Sequence, residues 1–390
     1  MDFKLLGSVL LIVGTSIGAG MLGLPIATAQ LGFTGSLILL FGCWFVMTAG
    51  ALLLLEVNLW LPQNSNLISM AKATIGPIGQ IIAWATFLLL LYSLLCAYIA
   101  GGSDLLHNLL LATGMNLPAW VASFLFTILF GTVVYCGIRS VDYVNRGLMF
   151  IKLGAYALLI GLLVFSISPG KLSNGDMKEL TSITAIAVTV CSFGYATIVP
   201  SLRIYFSGDV KKLRAAIIIG GIIPLICYIA WDAVIMGIIT LQPTSSTGDL
   251  VNMLSTAVSS TSVTFFLKLF TSICVVTSFL GVALCLADFL ADGLQLEKKG
   301  ISKLLVHLLA FLPPLGIVLF YPHMFVKALA YGGIYSVILL ILLPSWMAWK
   351  GRYHRKIAKG YQVRGGKVLL GFLILFSIAM IILLGTQQLT

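Results

Sequence analysis

Apolar runs of about 20 residues or more follow one another from end to end of this chain, each long enough to cross a hydrocarbon layer of roughly 30 Å. Backbone in lipid has no water to bond to, so such a run closes its own hydrogen bonds as a helix. The polar–apolar alternation that a lipid-facing barrel requires is absent. Of the 390 residues, 60% are hydrophobic and 9% charged, whereas a soluble domain carries about a quarter charged. The sequence therefore predicts an all-α integral membrane protein. Eleven spans are expected, over 5–29, 33–60, 79–107, 118–138, 147–168, 182–207, 214–241, 262–291, 303–321, 325–348 and 367–388.

The basic residues orient these spans. With the N-terminus inside, the lysines and arginines between spans, Lys298 among them, fall on the cytoplasmic side; Lys171 and Lys178 alone fall outside. Lys152, Lys268 and Lys327 lie within spans. The prediction is a cytoplasmic N-terminus and an external C-terminus. On this reading the net charge of +11 reflects topology and anionic membrane lipid, not nucleic acid. The seven cysteines all lie inside spans without a C-x-x-C pair, so neither a metal site, a disulfide framework nor any cofactor is expected. The segment from Asn64 to Gly76 reads as a short amphipathic helix at the cytoplasmic surface. The longest polar stretches, 169–181, 242–261 and 349–367, are too short for a soluble domain.

Two spans are unlike the rest. The first contains Gly14-Thr-Ser-Ile-Gly-Ala-Gly-Met-Leu-Gly-Leu-Pro25, the sixth Cys191-Ser-Phe-Gly-Tyr-Ala-Thr-Ile-Val-Pro200. Each sets glycine and a following proline near mid-membrane, where a regular helix is hardest to keep. Gly14-x-x-x-Gly18 alone could serve close helix packing, but packing does not call for a matching break in the sixth span. Paired interrupted helices at corresponding places of two oppositely oriented halves point to a secondary-transporter binding site. The expected organisation is a first five-helix repeat over 1–170, an inverted second repeat over 171–350, and a basic loop with an eleventh helix over 351–390. No H-E-x-x-H or G-x-S-x-G sequence and no catalytic aspartate pair occurs in the spans, so no enzyme is expected; a channel filter is absent too.

These residues, with Glu56-Val-Asn-Leu, Ser192-Phe-Gly-Tyr195, Val199-Pro-Ser201 and Ala287-Asp-Phe-Leu-Ala-Asp-Gly293, resemble the bacterial aromatic amino-acid permeases, the tyrosine- and tryptophan-specific transporters. That group belongs to the amino acid–polyamine–organocation superfamily. The resemblance covers essentially the whole chain. It implies a LeuT-type 5+5 inverted repeat with discontinuous helices 1 and 6 plus one extra C-terminal helix, in the bacterial inner membrane. The implied function is proton-coupled import of an aromatic amino acid, tyrosine first. The alternatives are tryptophan or broad aromatic specificity, or sodium-coupled serine/threonine symport.

An α-amino acid at the membrane midplane needs partners for both its charges. The N–H groups at Gly18, Ala19 and Gly20, on a positive half-helix end, suit the carboxylate. The carbonyls of Thr15, Ser192 and Phe193 suit the ammonium. An aromatic side chain needs a wide apolar pocket. Phe193 and Tyr195 flank the sixth-span break; Tyr92, Tyr98 and Tyr331 lie in spans that line the site in this fold, and each could equally face core or lipid. Thr189, Ser192, Ser103, Asn145 or a water is the expected partner of a phenol hydroxyl.

In span eight Thr271, Cys274, Ser278, Gly281, Cys285, Asp288 and Asp292 recur at helical spacing, so one small or polar face must look into the bundle or a wet pathway. The two aspartates are either gate partners for nearby cations or simply solvated. Thr277 and Ser278 match the hydroxyl pair that completes an ion site in sodium-coupled members of the fold, with carbonyls from Gly14 and Ile17. Lys152 matches the lysine that fills the sodium space in proton-coupled members. A buried lysine can load and release a proton; the bland reading is a lysine reaching for the interface.

Overall fold

The computed structural model of the protein describes residues 3–387 except 64, 174, 207, 208, 243, 244 and 298. Asn64, Lys298 and Gln388, named in the expectations above, lie outside the described residues. Every regular element among the described residues is helical, as a backbone in lipid requires.

Two helices, α1 (Phe3–Ser16) and α2 (Ala19–Ala27), make the first crossing and bend by 52° between them. After α3 (Gly32–Leu59) comes α4 (Leu67–Thr74), the short helix expected near 64–76, capped by the Asn66 side chain on the Ser69 N–H. Three apolar helices follow: α5 (Pro77–Ala112), α6 (Ala119–Tyr135) and α7 (Ile138–Leu163). The brief α8 (Pro169–Leu172) leads to the second interrupted crossing. There α9 (Ile183–Ser192) ends, a 3₁₀ turn covers Gly194–Ile198, and α10 (Val199–Tyr205) resumes with Pro200 in its first turn. The remaining helices are α11 (Val210–Ile238), α12 (Thr247–Val258), α13 (Thr261–Gly293), α14 (Gly300–Phe320), α15 (Phe325–Val337), α16 (Leu343–Trp349) and α17 (Gly366–Gln387).

Nine helices among the described residues are long and apolar enough to cross a membrane, ten with α1 and α2 taken as one; α6, at 17 residues, is shorter. Burial sorts them. The most apolar stretches of α3, of α9 with α10 and of α13 are 61% buried, and that of α15 with α16 is 67% buried, so these form the middle. Those of α7 and α17 are 22% buried and face outward.

The structure differs from the sequence reading in two places. The stretch 242–261, read as polar loop, contains α12. Its Ser246 hydroxyl accepts from the Asp249 N–H while the Asp249 carboxylate accepts from the Ser246 N–H, a reciprocal cap that starts a helix in polar sequence. The span expected over 325–348 runs to His354, with π-helical stretches at Ile338–Leu342 and Lys350–His354.

The two ends of the bundle are held differently. At the end rich in basic residues, the buried Glu56 carboxylate accepts from Arg352 Nε at 2.7 Å, from the second guanidinium nitrogen and from the Val363 N–H at 2.7 Å. Arg203 at the end of α10 donates to the carbonyls of Asn58 and Leu61. At the opposite end, Asp104 on α5 accepts from the Gly248 N–H at 2.6 Å and the Thr247 hydroxyl at 3.1 Å. Close backbone packing supplements this bond: a Cβ on Gly333 of α15 would lie 1.9 Å from the Ala187 carbonyl of α9, so any larger residue would force the two helices apart.

Candidate functional site

The chemistry converges on Ile17 and Gly18, where α1 stops and α2 starts. Gly18 is extended (φ −157°, ψ −151°), so the hydrogen-bond ladder is cut. A helix cut in two has two dipole ends in mid-membrane: carbonyls at the end of α1 and N–H groups at the start of α2. The protein answers the two ends with different groups.

Lys152 on α7 answers the carbonyl end. Its side chain is 1% exposed, and its ammonium donates to the Ile17 carbonyl at 2.6 Å and to Thr277 Oγ1 at 3.5 Å. An isolated ammonium in so dry a place would cost several kcal/mol; a helix C-terminus and a hydroxyl offset part of that. Lys152 does not reach for the interface. Thr277 itself donates to the Ile273 carbonyl, which leaves its oxygen lone pairs for the lysine. Its neighbour Ser278 serves the other end: Ser278 Oγ accepts from the Ala19 N–H at 3.0 Å. The pair Thr277 and Ser278 thus serves both halves of the cut, Thr277 through Lys152 and Ser278 directly.

Tyr228 on α11 joins the two breaks. Its hydroxyl, wholly buried, lies 2.7 Å from the Ser16 carbonyl that ends α1 and 2.7 Å from the Ser192 carbonyl that ends α9. Gly20 lies against Ser192, so the interruptions face one another directly.

A cavity of about 700 Å³ opens from this junction. Thr15, Gly18, Ala19 and Gly20 line it from the first crossing, Ser192 and Gly194 from the second, and Thr277, Ser278, Gly281 and Cys285 from α13. Of the small face of α13, Ser278, Gly281 and Cys285 line the cavity, while Thr271, Cys274, Asp288 and Asp292 do not. Apolar walls come from Phe87, Leu90, Leu91 and Leu94 of α5 and Val282 of α13. The cavity extends past Gly14 to Asp142 and Arg146, an exposed ion pair at the basic end. Beyond Gly20, Leu329 and Phe325 of α15, both buried, pack against Gly23.

The structure brings together Thr15, Gly18, Ala19, Gly20, Ser192 and Tyr98, whose phenol lies beside Ser278 and Cys191. Gly14 is there too, packed against Met149. Four aromatic residues are placed elsewhere. Phe193 is buried edge-on against Tyr228, ring centroids 5.1 Å apart, because the turn after Ser192 rotates it out of line. Tyr195, in that 3₁₀ turn, points to α3, its hydroxyl 2.7 Å from Thr48 Oγ1. Tyr92 faces α14 and donates to the Leu309 carbonyl at 2.8 Å. Tyr331 is half-buried on α15, off the lining. Among the expected partners for a phenol hydroxyl, Asn145 and Ser192 line the cavity. Thr189 and Ser103 donate to the carbonyls of Ala185 and Ile99, within their own helices. Ser16 and Tyr228 were not anticipated. The Ser16 hydroxyl lines the cavity, buried and without a partner among the described residues, and so does the Asn145 side-chain oxygen. Among the described residues no three His, Cys, Asp or Glu side chains group to hold a metal ion.

Over residues 1–384 the sequence matches the model of the tryptophan/tyrosine permease family. The chain belongs to that family. This permease is 35% identical over 379 residues to the "Tyrosine-specific transport system 1" of Haemophilus influenzae, covering 94% of this chain and 93% of the relative. It is 31% identical over 393 residues to "Glutamine transporter 2" of Aliivibrio fischeri, covering 98% and 99%. Its fold is that of MhsT, whose crystal structure in complex with L-phenylalanine superimposes with a TM-score of 0.66 at 15% identity over 97% of each chain. The permease is thus a multi-pass membrane transporter of LeuT-type fold, and its relatives are transport proteins rather than enzymes.

Proposed function

We propose that this permease imports tyrosine across the bacterial inner membrane together with a proton, by alternating access. The observation that carries the coupling is the Lys152 ammonium on the Ile17 carbonyl, in the space between α1 and α13. Charged, Lys152 clamps the end of α1 through a charge-assisted bond; neutral, it holds that end far less firmly. Thr277 lines the cavity and accepts from Lys152, so it is the bridge by which the proton leaves to water. The positive end of α2 at Gly18 to Gly20 takes the substrate carboxylate, beside the Ala19 N–H that Ser278 holds. The ammonium goes to the Thr15 carbonyl, since Tyr228 already holds that of Ser192. The ring lies along Leu90, Leu91 and Leu94, with its hydroxyl on Asn145 or Ser16. A volume of about 700 Å³ suits one ligand of this size.

The helices compose eleven spans: two inverted five-helix repeats over 1–170 and 171–350, and a basic loop with the last helix over 351–390. The basic end and the N-terminus face the cytoplasm, the C-terminus faces outward, and the cavity is then open inward. The relative named for glutamine transport keeps a second reading alive, a polar side chain in the same cavity. Tryptophan or broad aromatic specificity is the other.

Labelled tyrosine uptake into vesicles under an imposed pH gradient tests the proposal. Accumulation that collapses with an uncoupler, ignores sodium and is competed by tyrosine over tryptophan, phenylalanine, serine and glutamine is expected. Sodium-dependent accumulation, or preference for glutamine, would refute it.

A further inference from the structure

A second cavity, of about 640 Å³, lies between α3, α11, α17 and the stretch 361–365. Its walls are apolar, with Trp44, Phe45 and Leu52 from α3, Ile218 from α11 and Leu369 from α17. Trp44 to Leu52 spans about 12 Å at 1.5 Å per residue, from the middle of α3 toward the basic end. The mouth there is cationic. Arg214 and Arg364 line it, and the Arg214 guanidinium sits 5.0 Å from the centre of the Tyr361 ring. Neither arginine has a carboxylate partner among the described residues.

The local sequence makes the charge more telling. Lys211, Lys212 and Arg214 occupy the first five residues of α11, the end where a helix dipole disfavours cations and favours an anion. Asp209 caps that end through the Lys211 and Lys212 N–H groups, and Arg214, one turn further on, faces the cavity mouth. An apolar slot with an anion-seeking mouth fits an amphiphile with a negative head. Free phosphate has no use for the slot, and a zwitterionic head brings its own cation toward the arginines.

We propose that this cavity binds one anionic glycerophospholipid, its phosphate between Arg214 and Arg364 and an acyl chain along Trp44, Phe45 and Leu52. The site bears on transport through Thr48, which lines it and whose hydroxyl is 2.7 Å from that of Tyr195 in the second break. A seated chain presses on the segment that must move when the cavity changes sides.

The test uses the purified full chain in neutral detergent, titrated with dioleoyl phosphatidylglycerol or dioleoyl phosphatidylcholine and read by native mass spectrometry. The first phosphatidylglycerol is expected to bind about tenfold tighter than phosphatidylcholine, and the R214Q/R364Q double variant to lose about that factor. Leu52→Trp keeps both arginines but fills the slot, and is expected to weaken phosphatidylglycerol comparably. Should the double variant fail to fold, Arg364→Gln on its exposed loop carries the charge arm with about half the effect on a logarithmic scale. Uptake by the wild type is expected to quicken when phosphatidylglycerol is added to phosphatidylcholine vesicles, and uptake by the variants to ignore it. Equal binding of the two lipids by the wild type, variants within about twofold of it, displacement by inorganic phosphate, or variant uptake that still responds to phosphatidylglycerol would each overturn the proposal.

Discussion

The two interrupted crossings use one device for different ends. In the first, side chains from other helices meet the cut, Lys152 on the Ile17 carbonyl and Ser278 on the Ala19 N–H, while Gly18 and Gly20 line the cavity. In the second, Ser192 and Gly194 line the same cavity, but the large side chains pack into protein. Its aromatic residues turn away from the cavity, Phe193 to Tyr228 and Tyr195 to Thr48. A glycine-and-proline interruption is thus not in itself a binding site. On the proposed function, the first acts on ligands, while the second serves as a joint coupled to it at Tyr228, whose hydroxyl meets the carbonyls that end α1 and α9.

Substitutions in the two breaks should therefore have unequal effects. The largest is expected at Gly18, where a Cβ would lie 2.4 Å from Ser278 Oγ. Gly18→Val drives Ser278 off the Ala19 N–H, and displacements of that size cost about a hundredfold in function. Gly194 in the second break has open space where its Cβ would be, so Gly194→Ala should keep tyrosine uptake within about twofold. Equal losses at the two glycines would erase the contrast. Next is Tyr228→Phe, which removes the one hydroxyl that two buried carbonyls share. It should lower stability by about 1–3 kcal/mol in thermal unfolding and slow uptake, since the breaks then move independently; unchanged uptake would show that the breaks are not linked there. The smallest effect is at the joint's outer contact. Tyr195→Phe is expected to cost about 1 kcal/mol and to leave the apparent affinity for tyrosine unaltered, which a competition assay reads.

The sequence made the axial positions legible but not the azimuthal ones. Glycine and proline mark where a helix fails, so both breaks and their depth could be read directly. The middle of the repeating small face of α13, Ser278 to Cys285, was legible as facing the cavity, because a regular helix fixes direction by periodicity. Lys152 stood out because a lysine in an apolar run needs a partner. The aromatic residues could not be assigned in the same way. Each residue turns a helix by about 100°, and at a break that phase is lost, so Phe193 and Tyr195 were placed at the right depth on the wrong side. Tyr92 lies in an unbroken helix, but neighbours from α14 decide its direction, and those are more than two hundred residues away in sequence. Tyr228 looks like any aromatic in an apolar run; its role comes from two carbonyls that only the fold exposes. In Ser246 and Asp249 the signal was present, a capping pair three residues apart, but it lay in a stretch read as loop.

The central claim is that the bond from Lys152 to the Ile17 carbonyl links a proton to the cavity. It is tested most directly by comparing wild type and Lys152→Ala in vesicles, measuring tyrosine uptake with and without an inward proton gradient alongside tyrosine exchange at equal pH. The account predicts that the variant still exchanges tyrosine but no longer accumulates it when the gradient is imposed. A Lys152→Ala permease that concentrates tyrosine in response to the gradient as the wild type does would contradict it.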